Sequence, residues 1–271
     1  MSLPKTIPLV AVDIGNSRVK FGLFDGKSSN ALPEPRRTLS VADGDANFGS
    51  LDNWLESAAS DAFWIVASVN RPVAGRLIDW LRNRQAADRT RMLASFDLPL
   101  ETLVPRPDMV GIDRLAGVVG ANVLRDAGRA AVVVDLGTAI TIDLVNERGA
   151  FLGGAILPGI GMSARALHEF TDLLPLLDLQ SLSDAPQAVG VATVEAMKSG
   201  LYWGAIGAAK ELIEQFRKSL TTDPQVFLTG GAAASVAARI DPGAVYVPHL
   251  VLGGIALAAQ NLIDAPCSDE P

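Results

Sequence analysis

Aspartate closes an apolar run twice in this chain, and a glycine follows two residues later each time. The first motif is Asp13-Ile14-Gly15-Asn16-Ser17 after Ile7–Val12, and the second is Asp135-Leu136-Gly137-Thr138-Ala139 after Ala130–Val134. The two carboxylates lie 122 positions apart. Each motif runs straight into a second β-rich stretch, so each reads as a buried strand, a tight turn and a return strand. One Asp-x-Gly alone is ordinary turn chemistry. The repeated pair carries more, because carboxylates hold the hard cation that offsets phosphate charge while turn amides and hydroxyls (Asn16, Ser17, Thr138, Thr141) cradle phosphate oxygens. Lys20, on the first return strand, suits either a phosphate contact as a point charge or a solvated strand face.

A third element is Leu228-Thr229-Gly230-Gly231, a strand entering Gly-Gly and then a helix. Glycines there let a flat base or ribose approach the backbone, although a plain connector needs no ligand. Neither the P-loop consensus nor a dinucleotide Gly-x-Gly-x-x-Gly occurs. In Gly111-Ile112-Asp113-Arg114, Asp113 suits three roles: a general base, an ion pair with Arg114, or a cap on the helix predicted from Leu115. Arg114 offers a guanidinium fork for a substrate carboxylate. His168 and His249 have no metal-cluster spacing and read as structural. Trp54, Trp64, Trp80 and Trp203 sit on apolar patterns and read as core or interface, whereas Asp97, Asp108, Asp172 and Asp178 read as solvated loop residues.

The elements that must position these residues alternate between the two periodicities. Strands are predicted at Pro8–Asp13, Arg18–Phe24 and Phe63–Ser68, then at Ala130–Asp135, Ile140–Val145 and Phe151–Leu157, with Val226–Leu228 and Ala244–Val247 near the end. Helices are predicted at Leu51–Ala59, Val73–Arg84, Leu115–Arg125, Met162–His168, Thr193–Leu220 (with a kink at Gly204 or Gly207), Ala232–Arg239 and Leu252–Leu262. Leu98–Met109 carries three prolines and reads as an extended loop. The repeated strand–hairpin–helix theme divides the chain into residues 1–127 and 128–271, two α/β lobes with a cleft between them.

At 271 residues, with 49% hydrophobic and 20% charged side chains, the chain is long enough for two proper cores and is not disordered. A net charge of −7 disfavours non-specific binding to nucleic acid or acidic lipid. The single cysteine, Cys267, forms no disulfide within the chain, which points to a reducing compartment and the cytoplasm. The apolar stretch Ile7–Val12 is too short for a secretory leader. Pro242–Ile263 has the length of a membrane span, but Pro248, His249, Gly253-Gly254, Gln260 and Asn261 fit a strand, a turn and a packed helix better.

Taken together, the two acidic hairpins and the later Gly-Gly resemble the acetate and sugar kinase, actin and heat-shock chaperone ATPase superfamily. Within it, Asp13–Ser17, Gly111–Arg114, Asp135–Thr141 and Gly153-Gly154-Ala155-Ile156-Leu157-Pro158-Gly159 resemble the signature set of the type III pantothenate kinases, and the likeness runs from Val10 to Leu262. The resemblance implies duplicated actin-like (ribonuclease H-like) lobes with a nucleotide cleft. It implies ATP-dependent phosphorylation of pantothenate to 4′-phosphopantothenate, the first step toward coenzyme A, by a homodimer. ATP would bring Mg2+, and a monovalent cation (K+ or NH4+) would sit at Asp135. ATP would be held by Asp13, Ile14, Gly15, Asn16, Ser17, Arg18, Val19, Lys20 and Thr138. Pantothenate would be held by Gly111, Ile112, Asp113, Arg114 and Thr193, the last at a subunit interface, with Asp113 as proton acceptor. The chain departs from the family at Val104, where a tyrosine is frequent, and at Val191-Ala192, where Lys-Asn is frequent. Those departures keep one alternative in play, a kinase of the same fold for another small hydroxy acid or alcohol; the resemblance itself leaves a second, a non-catalytic nucleotide-binding regulator.

Overall fold

A computed structural model describes residues 7–25, 31–42, 48–55, 61–178, 184–231 and 233–264. In chain order the strands are β1 (Leu9–Ile14), β2 (Arg18–Phe24), β3 (Arg37–Ala42), β4 (Phe63–Ser68), β5 (Thr90–Met92), β6 (Ala131–Leu136), β7 (Ala139–Val145), β8 (Phe151–Pro158), β9 (Gln225–Thr229) and β10 (Val245–Tyr246). The helices are α1 (Gly49–Trp54), α2 (Arg71–Asn83), α3 (Ile112–Leu124), α4 (Ile160–Glu169), α5 (Thr193–Lys218), α6 (Ala233–Ile240) and α7 (Leu250–Asp264). They form two compact units, one of residues up to Leu124 together with those from His249 onward, the other of Arg125–Pro248.

The first unit carries a sheet in the order β3-β2-β1-β4-β5. β1 pairs antiparallel with β2 and parallel with β4; β2 pairs antiparallel with β3, and β4 parallel with β5. β1 is buried along its whole length, as a central strand covered on both faces must be. One face packs Val10, Val12, Ile14, Val19, Phe21 and Leu23 against an aromatic cluster that includes Phe48, Trp54, Trp64 and Trp80. Trp64 and Trp80 meet edge to face with centroids 6.2 Å apart. α3 and α7 lie close to each other and α7 also packs on β1. Glycines permit that approach: a Cβ at Gly254 would stand 1.9 Å from the carbonyl oxygen of Ala116, and one at Gly120 would stand 2.7 Å from that of Leu250.

The second unit repeats the plan in the order β10-β9-β6-β7-β8, with β6–β7 and β7–β8 antiparallel and β6–β9 and β9–β10 parallel. Its core is the inner face of β6, β7 and β9 under Tyr202, Ile206, Ala209 and Ile213 of α5 and Val236 and Ile240 of α6. Two α/β lobes of like topology are therefore present, as the sequence implied.

Several details differ from the sequence expectation. α7 belongs with the first unit, whereas the second half was drawn from residue 128 to 271, and the first boundary falls after Leu124. The edge strands β3 and β5 had no signal: β3 alternates polar and half-buried residues, and β5 is three residues long. α1 ends at Trp54, and most of the remainder of that expected helix lies outside the described residues. α3 starts at Ile112, three residues early, which moves Asp113 into its first turn. α5 runs through Gly204 and Gly207 as one 26-residue helix. Asp97 is not solvated: its side chain is 5% exposed, pairs with Arg91 at 2.8 Å and accepts a bond from the Ala94 N–H at 2.9 Å. Among the described residues no helix is long and apolar enough to cross a membrane.

Candidate functional site

In the first unit the β1–β2 turn is closed by the Gly15 N–H donating to the Arg18 carbonyl at 3.1 Å. Asp13 and Lys20 face each other across the paired strands, and the Lys20 ammonium stands 3.7 Å from the Asp13 carboxylate. Asp13 is only 7% exposed, so this carboxylate is fixed by its surroundings rather than sampling solvent. Asn16 and Arg18 are exposed and Ser17 half-buried, which leaves turn amides and side chains open to a ligand.

The parallel neighbour β4 joins this turn to the Gly111–Arg114 motif. The Val69 N–H, just past β4, donates to the Ile14 carbonyl at 3.0 Å. A Cβ at Gly111 would lie 3.6 Å from Cγ1 of the same Val69 and only 2.5 Å from Oδ1 of Asp113. Gly111 thus gives Asp113 its place. The Asp113 carboxylate accepts from the Arg114 N–H at 2.9 Å, while the Arg114 and Leu115 N–H groups also reach the Gly111 carbonyl at 3.1 and 3.3 Å. The cap reading of Asp113 is corrected accordingly: the residue ahead of the helix is Gly111, and Asp113 sits half-buried on the first turn with one carboxylate edge engaged locally.

Sequence reasoning passed over what surrounds this pair. Ser68 and Asn70 knit the end of β4: the Ser68 hydroxyl donates to the Asn70 carbonyl at 3.0 Å and accepts from the Asn70 N–H at 3.1 Å, and Oδ1 of Asn70 caps α2 through the Val73 N–H at 3.3 Å. An Asn one residue before Arg-Pro was the available signal, since Pro in the first helical turn marks a start. His249, which opens into α7, is held below its ordinary 6.5 by burial and by Lys20, with Glu34 pulling the other way.

In the second unit the β6–β7 turn is closed by the Gly137 N–H donating to the Ala139 carbonyl at 3.1 Å, and Asp135 pairs with Thr141 across it. Two further glycines close around this hairpin. The Gly159 N–H donates to the Thr138 carbonyl at 3.0 Å, and a Cβ at Gly159 would be 2.4 Å from the carbonyl oxygens of Gly137 and Thr138. Gly230 has φ +99°, and a Cβ there would meet Oδ1 of Asp135 at 2.5 Å and the Leu136 carbonyl oxygen at 2.6 Å. The expected Gly-Gly element and the Asp135 motif are therefore one site. Beside it lies an apolar pocket of about 210 Å³, walled by Ile140, Tyr202, Ile206, Val236 and Ile240, with Gly137 and Gly161 among its lining.

Thr193 opens α5 as an exposed residue, and among the described residues no hydrogen bond ties it to the Asp135 hairpin. The strand of chain before it is pinned along α5. Trp203 Nε1 donates to the Pro186 carbonyl at 3.1 Å, the Ser199 hydroxyl to that of Ala188 at 2.7 Å, and the Val191 N–H to the Glu195 carboxylate at 3.1 Å. The same exposed run presents Val191, 90% exposed, and Val194. His168, by contrast, closes α4 with Nδ1 2.8 Å from the Leu174 carbonyl, a structural contact.

Comparison with known proteins agrees with this geometry. Residues 9–215 match the type III pantothenate kinase family. A type III pantothenate kinase of Endomicrobium trichonymphae is 32% identical over 264 residues, covering 94% of this chain and 99% of that protein. One of Akkermansia muciniphila is 34% identical, covering 92% and 96%. Among solved structures, a conserved Baf-family protein of Campylobacter jejuni superposes with TM-score 0.59 at 21% identity, over 94% of this chain and 98% of that one. MreB5 of Spiroplasma citri bound to ADP gives 0.52 at 9% identity over 96% and 98%, a likeness of fold.

Proposed function

The chain belongs to the type III pantothenate kinase family, and from that membership and the two hairpins we infer its reaction: transfer of the γ-phosphoryl group of ATP to the primary hydroxyl of pantothenate. The product is 4′-phosphopantothenate, the first intermediate on the way to coenzyme A. One observation carries the assignment of roles. Val69 links the Asp13–Lys20 turn to Gly111–Asp113 within a single unit, so the phosphate-binding turn and a candidate base are built into one rigid neighbourhood.

Phosphoryl transfer needs positioning and charge neutralisation more than covalent help. In this reading Asp13 through Lys20 grip the triphosphate, with turn amides and Lys20 as donors, and Thr138 adds a hydroxyl. The adenosine takes the apolar pocket beside Gly137, whose lining is suited to a flat base. Ile112 and Gly111 shape the acceptor site, Arg114 anchors the pantothenate carboxylate, and Asp113 orients the hydroxyl and takes its proton late, as the new bond forms. Mg2+ travels with ATP. A monovalent cation would take the Asp135 carboxylate as an oxygen ligand, as the family membership implies. When bound, that cation supplies positive charge near the developing phosphoryl charge.

Thr193 completes the acceptor site from a second copy of the chain. Support for a homodimer comes from exposed apolar and small residues on the same unit: Val191 at 90% and Ile156 at 63% exposure, and Gly200, Gly204 and Gly207 of α5 with open space where a Cβ would stand. The enzyme works in the cytoplasm in this reading.

The test is an ADP-release assay with pantothenate, run with and without potassium, alongside sedimentation to read the assembly. Turnover that rises with potassium is the expected result. Folded, nucleotide-binding protein that leaves pantothenate untouched rejects the reaction, and a monomer with full activity rejects the role of Thr193.

A further inference from the structure

Three strands present a polar row on one face of the first sheet. Asp13 of β1 is in register with Lys20 of β2, and Lys20 with Ser40 of β3, so all three side chains leave the same face. Arg18, two residues before Lys20, shares that face and reaches diagonally to the edge strand. Its Nε donates to the Ser40 hydroxyl at 2.7 Å and its Nη2 to the Ser40 carbonyl at 3.4 Å. Arg18 makes no ion pair with a described carboxylate. The two oxygens on Ser40 restrain the guanidinium without neutralising it, and they leave its other N–H groups uncommitted to Ser40. A carboxylate in place of Ser40 would have cancelled the charge.

We propose that Ser40 is a positioning residue for the nucleotide: it aims Arg18 so that guanidinium and Lys20 ammonium meet the polyphosphate as a pair. The inference rests on the reading of Asp13–Lys20 as the phosphate-binding turn. It adds a third-strand residue, distant from that turn in sequence, on which the turn's charge geometry depends. Preorganisation is the physical reason. An arginine gives up much rotamer freedom when it closes on a phosphate, and a side chain already restrained has less to lose.

A double-mutant cycle over Arg18 and Ser40 decides it, read as the Kd of the β,γ-imido analogue of ATP by calorimetry and as KM and kcat for ATP with pantothenate. Ser40→Ala should weaken analogue binding about 3- to 10-fold, the range of one ordinary net hydrogen bond. KM for ATP should rise in proportion while kcat stays within about twofold. Ser40→Thr, which keeps the hydroxyl, should restore both. In an Arg18→Ala background, Ser40→Ala should add almost nothing. Wild-type affinity in Ser40→Ala, or a full additive loss in the double variant, overturns the proposal even if pantothenate is phosphorylated. A loss that tracks only the melting temperature, with Ser40→Thr no better than Ser40→Ala, assigns Ser40 to stability alone and also overturns it. Analogue binding in a wild type that ignores pantothenate would sink the acceptor assignment and leave the Ser40 test intact. A wild type that binds no nucleotide would sink both.

Discussion

The missing side chain of Gly111 is what makes room for the carboxylate of Asp113: a Cβ there would stand 2.5 Å from Oδ1. That oxygen is the far end of a side chain able to rotate away, so Gly111→Ala should fold normally, with a change in stability of less than about 1 kcal/mol. The rotation displaces the group assigned to the acceptor hydroxyl, and a misplacement of about 1 Å costs on the order of 100-fold. We expect kcat to fall by roughly that factor with KM for ATP unchanged, and Asp113→Asn to fall by about 100- to 10,000-fold. Steady-state kinetics beside a thermal melt checks both. Full activity in Asp113→Asn would remove it from the mechanism.

Gly230 behaves differently, because backbone as well as side chain crowds it. Its φ of +99° is one that L side chains rarely adopt, and a Cβ would meet the Leu136 carbonyl at 2.6 Å as well as Asp135. Gly230→Ala should therefore destabilise the second unit by about 1–3 kcal/mol. It should also weaken potassium activation, since the same displacement disturbs Asp135. A urea titration and a potassium dependence measured on one preparation separate the two effects. An unchanged potassium midpoint argues that the cation sits elsewhere.

Helix α7 shows where sequence stopped being informative. The hairpins were legible because apolar runs ending in Asp-x-Gly have one plausible reading, and the Trp64 and Trp80 core positions followed from periodicity. β3 was not legible, because an edge strand buries little and Arg37-Thr38-Leu39-Ser40 carries no apolar face. With β3 unseen, Ser40 had no reason to be linked to Arg18. Asp97 read as solvated because nothing local foretells its pairing with Arg91. The allegiance of α7 was hidden for a different reason. A uniformly apolar stretch says that a helix is covered and does not say by which sheet. The covering surface is set by Gly254 lying on Ala116 and Gly120 on Leu250, contacts more than a hundred residues apart in sequence. Gly254→Ala pushes a methyl into a backbone carbonyl and should cost about 2–4 kcal/mol. Hydrogen exchange should show the loss in β1 and α3. Equal loss confined to β6 and β9 would assign α7 to the other unit.

His249 gives the chain a pH-dependent component of stability. Burial, and Lys20 next, lower its affinity for a proton in the folded state, with Glu34 offsetting part of the effect. The unfolded chain therefore binds the proton more readily. The contribution of the neutral ring is fully present above the ordinary value of 6.5 and is lost as pH falls below it. Wild type should accordingly lose stability on acidification from about pH 8 to about pH 5.5 more steeply than His249→Gln, which cannot take up that proton. Urea midpoints across that range measure the slope, and proton NMR of the two histidines, assigned with His168→Gln, reads the titration directly. Parallel slopes in wild type and variant, or an imidazole titrating at or above 6.5, would show that His249 is neither desolvated nor repelled by Lys20. The expected signal has a second use, because a triphosphate bound at Lys20 adds negative charge and should move that same resonance upward in pH.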